Sequence, residues 1–311
     1  MKYILAHDLG TSGNKATLFS EEGSLVASVT QHYPVYYSND NWAEQDPNDW
    51  WNAVVESTRQ LVAHVDPADI AAVSFSGQMM GCVCVDEAGN PLRNAIIWAD
   101  MRATEQEAEI RQRIDEKEFY HLTGQRLSPS YGGQKLMWVK EHQPEVYAKT
   151  YKMLNAKDFI ILRLTGAFVT EYTDASSTCL MDLEKLEWSD RLLDAMDLDR
   201  EKMPRLCRST VMVFVPPLAP AVFRRASPTA AWEPLPGFPL PAGNLFLMKS
   251  SAPLPGHTSF LVMCSPPELC KPAVVLMPGM LIISATKKSR LPRIMDSLSI
   301  RFWRNCWQNL K

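Results

Sequence analysis

Proline placement sets the first limit on what this chain can fold into. Fifteen of its 22 prolines fall after residue 210, and those between Pro216 and Pro255 recur too closely for a helix interior while each removes a ladder donor from a strand. Charge breaks at the same place. Residues 1–210 hold 32 Asp+Glu against 21 Lys+Arg, and the remainder holds 3 against 11, so the net charge of -3 conceals -11 before the break and +8 after it. A boundary therefore lies near residues 205–210, and the expected division is 1–208 as a folded domain and 209–311 as an irregular, Pro-rich tail. The abrupt change in charge, proline and periodicity reads as translation out of frame after a frameshift. A diverged or disordered native tail is the competing account.

Composition enters mainly as exclusion. A hydrophobic share of 46% with 22% charged residues is that of a soluble globular protein, and 311 residues allow two domains. The basic tail spaces its charges among prolines rather than clustering them with aromatics, which argues against nucleic-acid binding. Residues 1–10 lack the apolar core of a signal peptide, and the most apolar tail segments, 211–223 and 273–285, fall short of the ~20 residues of a spanning helix. No membrane partner is expected. Seven cysteines, an odd number without metal-ligand spacing, suit a reducing cytoplasm. Cys82 and Cys84 alternate onto one face of an expected strand and read as buried thiols rather than a metal pair.

Before the boundary the periodicities are clear. Lys2–Asp8, Asn14–Phe19 and Ser24–Gln31 read as three meandering strands, the first two joined by a Gly-containing turn. Asp46-Pro47 supplies a cap and a first-turn proline for an amphipathic helix expected over 47–65. Strands are expected at 70–76, 81–86 and 95–97, and helices at 102–116, 117–123, 133–142, 144–150, 155–164 and 190–196. Strands first and helices after them predict an α/β domain, a mixed sheet flanked by helices.

Three segments carry chemistry. In Asp8-Leu9-Gly10-Thr11-Ser12-Gly13-Asn14-Lys15 a carboxylate ends a strand, where it can hold Mg²⁺ through water. The tight turn after it aims N–H groups and hydroxyls at phosphate oxygens. Lys15 can reach a terminal phosphate; a plain hairpin turn explains the octapeptide equally well. Ser76-Gly77-Gln78-Met79-Met80-Gly81 lies between two strands, its glycines permitting close approach of a ligand and Gln78 offering an amide to sugar hydroxyls. Met79 and Met80 read more readily as core. Asp100, in Trp98-Ala99-Asp100-Met101-Arg102, reads first as the N-cap of the following helix, and otherwise as a group that orients a substrate hydroxyl or Arg102.

These motifs, in this order and spacing, resemble the FGGY family of carbohydrate kinases, whose fold is the actin-like, ribonuclease H-like ATPase fold. The resemblance extends through Trp42-Ala43-Glu44-Gln45-Asp46-Pro47, Lys135-Leu136-Met137-Trp138, Asn155-Ala156-Lys157-Asp158 and Thr173-Asp174-Ala175-Ser176 to Met203-Pro204. Within the family the motifs are most similar to xylulose kinases. The resemblance implies ATP and Mg²⁺ as cofactors and a small-molecule sugar as partner, with a homodimer as the candidate assembly. It also implies that Asp8, Gly10, Thr11, Ser12 and Lys15 face the phosphates and Asp8 the magnesium. Gln78, Met79, Met80, Gly81, Asp100 and Arg102 would contact the sugar, with the Ser130-Tyr131 loop nearby.

Two departures bear on activity. Xylulose kinases commonly carry Met-His-Gly where this chain has Met79-Met80-Gly81, so xylulose leads a wider set of pentuloses and polyols. The family's Gly-rich segment with its catalytic Asp has no counterpart after residue 210, where the acidic residues are Glu233, Glu268 and Asp296, none in a Gly-rich turn. No catalytic base is assigned. The expected function is transfer of the ATP γ-phosphoryl group to a sugar hydroxyl, with this chain a truncated and inactive form. A non-catalytic sugar- or nucleotide-binding protein is the alternative.

Overall fold

The first strands form because apolar residues alternate with polar ones and the turns between them are short. The computed structural model describes residues 1–207, and beyond them only the backbone of four short strands, Met212–Val213, Trp232–Pro234, Leu245–Ser250 and Ser259–Met263. Strands β1 (Tyr3–Leu9), β2 (Gly13–Ser20) and β3 (Leu25–His32) are antiparallel neighbours. After them come β4 (Tyr36–Ser38) and β5 (Trp42–Gln45), then helix α1 (Pro47–Val62). Strand β6 (Ile70–Gly77) returns parallel to β1, giving the order β6-β1-β2-β3, and Met212–Val213 lies antiparallel beside β6. A hairpin followed by a helical crossover into a parallel strand makes the sheet mixed, as its sequence order predicts. The expected irregularity of 209–311 falls outside the described residues except at those four strands.

Helix α1 starts at Asp46, whose side chain accepts from Asn48 N, with Pro47 in the first turn; such a cap contributes about 1 kcal/mol. Its buried face, including Trp50, Val54, Ser57 and Leu61, packs across β2 and β3. The helix ends at Val62, short of the expected Val65, where Asp66 starts a separate turn by accepting from Ala68 N. The sheet meets α1 through a polar contact as well. His7 Nδ1 accepts from Asn14 Nδ2 at 3.1 Å, and the same amide donates to Ser57 Oγ at 2.8 Å. Nε2–H is then left to donate to Thr58 Oγ1 at 3.3 Å. Burial pushes the His7 imidazole down to about 4.

Further along lie β7 (Val83–Val85), β8 (Ala95–Ile96), α2 (Thr104–Arg113), α3 (Glu116–Thr123), α4 (Gly132–His142), α5 (Pro144–Lys149) and β9 (Lys152–Leu154). The expected strand 81–86 shrinks to β7, which pairs with β9, while Cys82 forms an isolated antiparallel bridge to Ile96 of β8. Cys82 and Cys84 point the same way, their sulfurs 3.9 Å apart and buried as free thiols. The expected helix 102–116 is shorter at both ends. Ile114 is extended, and Asp115 caps α3 by accepting from Lys117 N and Glu118 N.

The chain continues through α6 (Ala156–Thr165), β10 (Val169–Glu171), α7 (Tyr172–Ser176), β11 (Met181–Asp182), β12 (Glu187–Trp188), α8 (Asp190–Ala195) and β13 (Arg205–Cys207). Gly166, at φ 71, closes α6 in the left-handed conformation that favours glycine. Two apolar clusters result. One joins the sheet to α1 and α6, and the other gathers α3, α4 and α8 around Phe119, Leu136 and Leu192. Strands β1 and β6 lie side by side in the large sheet, while β8 belongs to a separate three-stranded sheet with β4 and β5. Among the described residues no helix is long and apolar enough to cross a membrane.

Candidate functional site

Alternation along β1 buries His7 and Leu9 and leaves Asp8 exposed at the strand's end. In the hairpin register Asp8 stands opposite Lys15, also exposed. Gly10, Thr11 and Ser12 form the turn between them. Gly10 N donates to Gly13 O at 3.0 Å, and a Cβ on Gly13 would meet Gln31 O at 2.7 Å, so the chain approaches β3 there in a way only glycine allows. Three side chains from elsewhere hold the turn. Tyr33 OH donates to Gly10 O at 2.6 Å, Gln45 Nε2 to Thr11 O at 2.8 Å, and Trp98 Nε1 to Thr11 Oγ1 at 2.8 Å.

Gln45 ties this turn to the second motif. Its Oε1 accepts from Gln78 Nε2 at 2.7 Å and from Trp50 Nε1 at 3.2 Å, while Gln78 N donates to Leu9 O at 2.8 Å. The structure thus brings Asp8, Thr11, Lys15 and Gln78 to one end of the sheet. Gln78 Oε1 is buried without a partner, an acceptor facing no protein donor. Such a group costs free energy unless a ligand or water meets it.

Met79 and Met80 are half-buried and belong to neither apolar cluster, in contrast to the core reading. Met80 sits at φ 61, uncommon for a non-glycine residue and a sign of local constraint. Its N–H donates to Ser177 Oγ at 3.1 Å, and Gly81 N donates to Asn155 Oδ1 at 3.1 Å. Both acceptors lean on Asp174, whose backbone carbonyl accepts from Ser177 Oγ and Asn155 Nδ2. Beneath them Lys157 lies among Glu171, Asp174 and Asp158, with its ammonium 3.3 Å from Asp174 Oδ2. Burial disfavours that ammonium, yet the carboxylates of Asp174, Glu171 and Asp158 outweigh it and raise the lysine above its ordinary range. Burial pushes Asp174 up to about 6 against the pull of Lys157.

The expectation that Asp100 caps a helix is corrected. Helix α2 begins at Thr104 with Ala103 at its cap position and no side-chain cap. Asp100 is instead fully buried. It accepts from Ala43 N at 2.6 Å, Arg102 N at 3.0 Å and the Arg102 guanidinium at 2.7 and 3.0 Å. The Arg102 guanidinium lies against the edge-on pair of Trp42 and Trp138, 3.8 and 4.7 Å from their centroids, and also pairs with Glu44. With its oxygens engaged by protein donors, Asp100 fixes the loop that carries Trp98. Neither Asp100 nor Arg102 joins the exposed group at the end of β1. In the Ser130-Tyr131 loop, Tyr131 OH donates to Gln125 Oε1 at 3.0 Å.

Gln45 and Trp98 lie inside sequence motifs that do not by themselves assign them to the site. Their signal is weak, because a glutamine and an indole gain meaning only when the chain brings Thr11 within reach. Among the described residues no group of three or more His, Cys, Asp or Glu could hold a metal ion. A cation at Asp8 would therefore depend on one carboxylate together with phosphate and water oxygens, a donor set that suits Mg²⁺.

Comparison with known proteins bears directly on this arrangement. The family model for the FGGY family of carbohydrate kinases, N-terminal domain, matches residues 3–215. The chain belongs to that family. The xylulose kinase of Escherichia coli (strain K12) is 37% identical over 199 residues, which are 64% of this chain and 41% of that protein. A ligand-bound xylulose kinase from Lactobacillus acidophilus superposes with a TM-score of 0.66 at 32% identity, over 72% of this chain and 46% of that one. A gluconate kinase from the same organism gives 0.64 at 34%, over 69% and 43%. The FGGY N-terminal domain thus occupies the motif-bearing residues, and the chain spans less than half the length of these relatives.

Proposed function

We propose that residues 1–208 supply the phosphate-facing and sugar-facing side of an ATP-dependent carbohydrate kinase site, with a pentulose such as D-xylulose as the sugar. The observation that carries the reading is the chain of contacts Thr11–Gln45–Gln78. It sets the exposed Asp8–Lys15 turn of the β1–β2 hairpin beside an unpartnered amide oxygen just past the end of β6. In this reading Asp8 holds Mg²⁺ through water. Thr11 Oγ1, which already accepts from Trp98, directs its own hydrogen to a phosphate oxygen, and Gly10 and Ser12 complete the turn. Lys15 adds positive charge. Gln78 Oε1 takes a sugar hydroxyl beside Met79, Met80 and Gly81, while Asp100 and Arg102 hold the wall from behind. Bound Mg-ATP would supply the phosphoryl group and charge neutralisation, and alignment carries most of the catalysis in such transfers.

Residues 209–311 bring no Gly-rich acidic segment in their sequence, and loss of a general base costs about 10²- to 10⁴-fold. The chain is therefore expected to bind D-xylulose and Mg-ATP while turning over little. Calorimetry of the full chain with each ligand, beside an assay for sugar-dependent ADP release, tests both parts. Robust ADP release would overturn the inactivity, and absence of binding by D-xylulose and other polyols would overturn the sugar site. That missing segment also favours a second reading, a non-catalytic binder, which predicts tight binding of a sugar or nucleotide with no turnover at any enzyme concentration.

A further inference from the structure

Three loop segments around the proposed sugar site meet at one buried atom. Lys135, in the first turn of α4, is fully buried. Its Nζ donates to Met80 O at 2.8 Å, to Ile97 O at 2.7 Å and to Ser130 O. Three carbonyls ask for three hydrogens, which the ammonium has and the neutral amine lacks. A buried charge is costly unless fully satisfied, and an apolar side chain of the same length would fill the space at lower cost. Met80 supplies an independent observation. Its left-handed backbone, φ 61, is gripped on both sides, by Ser177 at its N–H and by Lys135 at its carbonyl.

We propose that Lys135 is a positioning residue for the sugar site, its three donated hydrogen bonds locking Met80, Ile97 and Ser130 into the arrangement that binds the polyol. The proposal rests on the reading of Gln78–Gly81 as sugar-facing. Asp100, Cys82 and Arg102 are the charged and titratable groups that face the ammonium. Burial pushes Lys135 down to about 7 although Asp100 opposes the shift. As pH rises through that value one of the three bonds is lost, and sugar affinity falls. Stability moves the other way. The unfolded chain keeps a lysine near ~10.4 and binds more protons than the folded one in between, so stability from this group rises with pH.

D-xylulose is titrated into the full chain from about pH 6.5 to about pH 8.5, with thermal unfolding at each pH, and both are repeated for K135M. The expected result is affinity weakening about tenfold across the range while stability does not fall, and weak, pH-independent binding by K135M. Amide hydrogen exchange provides a readout that needs no ligand. In K135M, residues 80–82, 97–99 and 130–132 should lose protection together while β1 and β6 keep theirs. Affinity independent of pH in the unaltered chain overturns the proposal, as does protection in K135M unchanged in those segments. Should K135M fail to fold, the pH profile of the unaltered chain decides alone. Should the unaltered chain bind no D-xylulose at any pH, the sugar reading falls and the positioning role with it; joint loss of protection would then leave Lys135 as a structural clamp only.

Discussion

The two turns that meet at Gln45 are held in opposite ways. At Gly10–Ser12 the backbone is fastened by Tyr33 and Gln45 and the Thr11 hydroxyl by Trp98, and the side chains of Asp8, Ser12 and Lys15 stay exposed. At Met79–Gly81 it is the backbone N–H and carbonyl groups that are taken, by Ser177, Asn155 and Lys135, from residues buried behind the loop. In the proposed site the first turn would act through exposed side chains of the β1–β2 hairpin. The second would act through a backbone shape that buried polar contacts impose, so damage there should reach the fold as well as ligand binding.

Mutations can break this contrast. The largest effect is expected for Asp100→Ala, which leaves the buried Arg102 with Glu44 as its remaining carboxylate; stability should fall by about 3–5 kcal/mol in urea unfolding. A loss below about 1 kcal/mol would mean that Glu44 and the two tryptophans suffice to hold the guanidinium. A pH series gives the next. The folded imidazole of His7 lies at about 4, below its unfolded value, so its contribution is full above about pH 6.5 and disappears as pH falls toward 4. The difference between the unaltered chain and His7→Asn should change by about 3 kcal/mol over that window. Taking the difference removes Asp174, which titrates near the same pH with the opposite sign.

Gln45→Leu joins the two turns in one experiment. It unpairs Thr11 O, Trp50 Nε1 and Gln78 Nε2 at once and should cost about 1–3 kcal/mol, with weaker binding of both Mg-ATP and D-xylulose. Loss of one affinity alone would separate the turns. The smallest stability effect belongs to Asp8→Asn. This exposed position should change unfolding by less than about 0.5 kcal/mol while Mg-ATP affinity drops about tenfold or more. A large stability change there would erase the contrast between the turns.

The hairpin was legible because a period-two pattern and a Gly turn are local signals, and β1, β2, β3 and β6 lie where alternation puts them. Helix α1 was legible from Asp46-Pro47 and its apolar stripe. Short strands such as β4, β9, β10 and β13 were not, since their pairing comes from residues far away in sequence and leaves no pattern within three positions. Asp100 misled for a related reason. A carboxylate two residues before an arginine and four before a helix looks like a cap, and only the arrival of Ala43, Glu44 and Trp138 shows that it is the anchor of a buried cation. Lys135 and Asn155 stood in family-like motifs, but the carbonyl and amide they serve cannot be inferred from their neighbours.

The indole that reaches Thr11 has an optical consequence. Trp98 keeps 42% of its surface exposed, whereas every other tryptophan between residues 1 and 207 is buried or partly so. Its emission should lie to the red of theirs and respond to quenchers first. Because its N–H is fastened to Thr11 in the turn proposed to meet phosphate, occupancy there should alter its spectrum, giving an intrinsic fluorophore for following ligand arrival without any label.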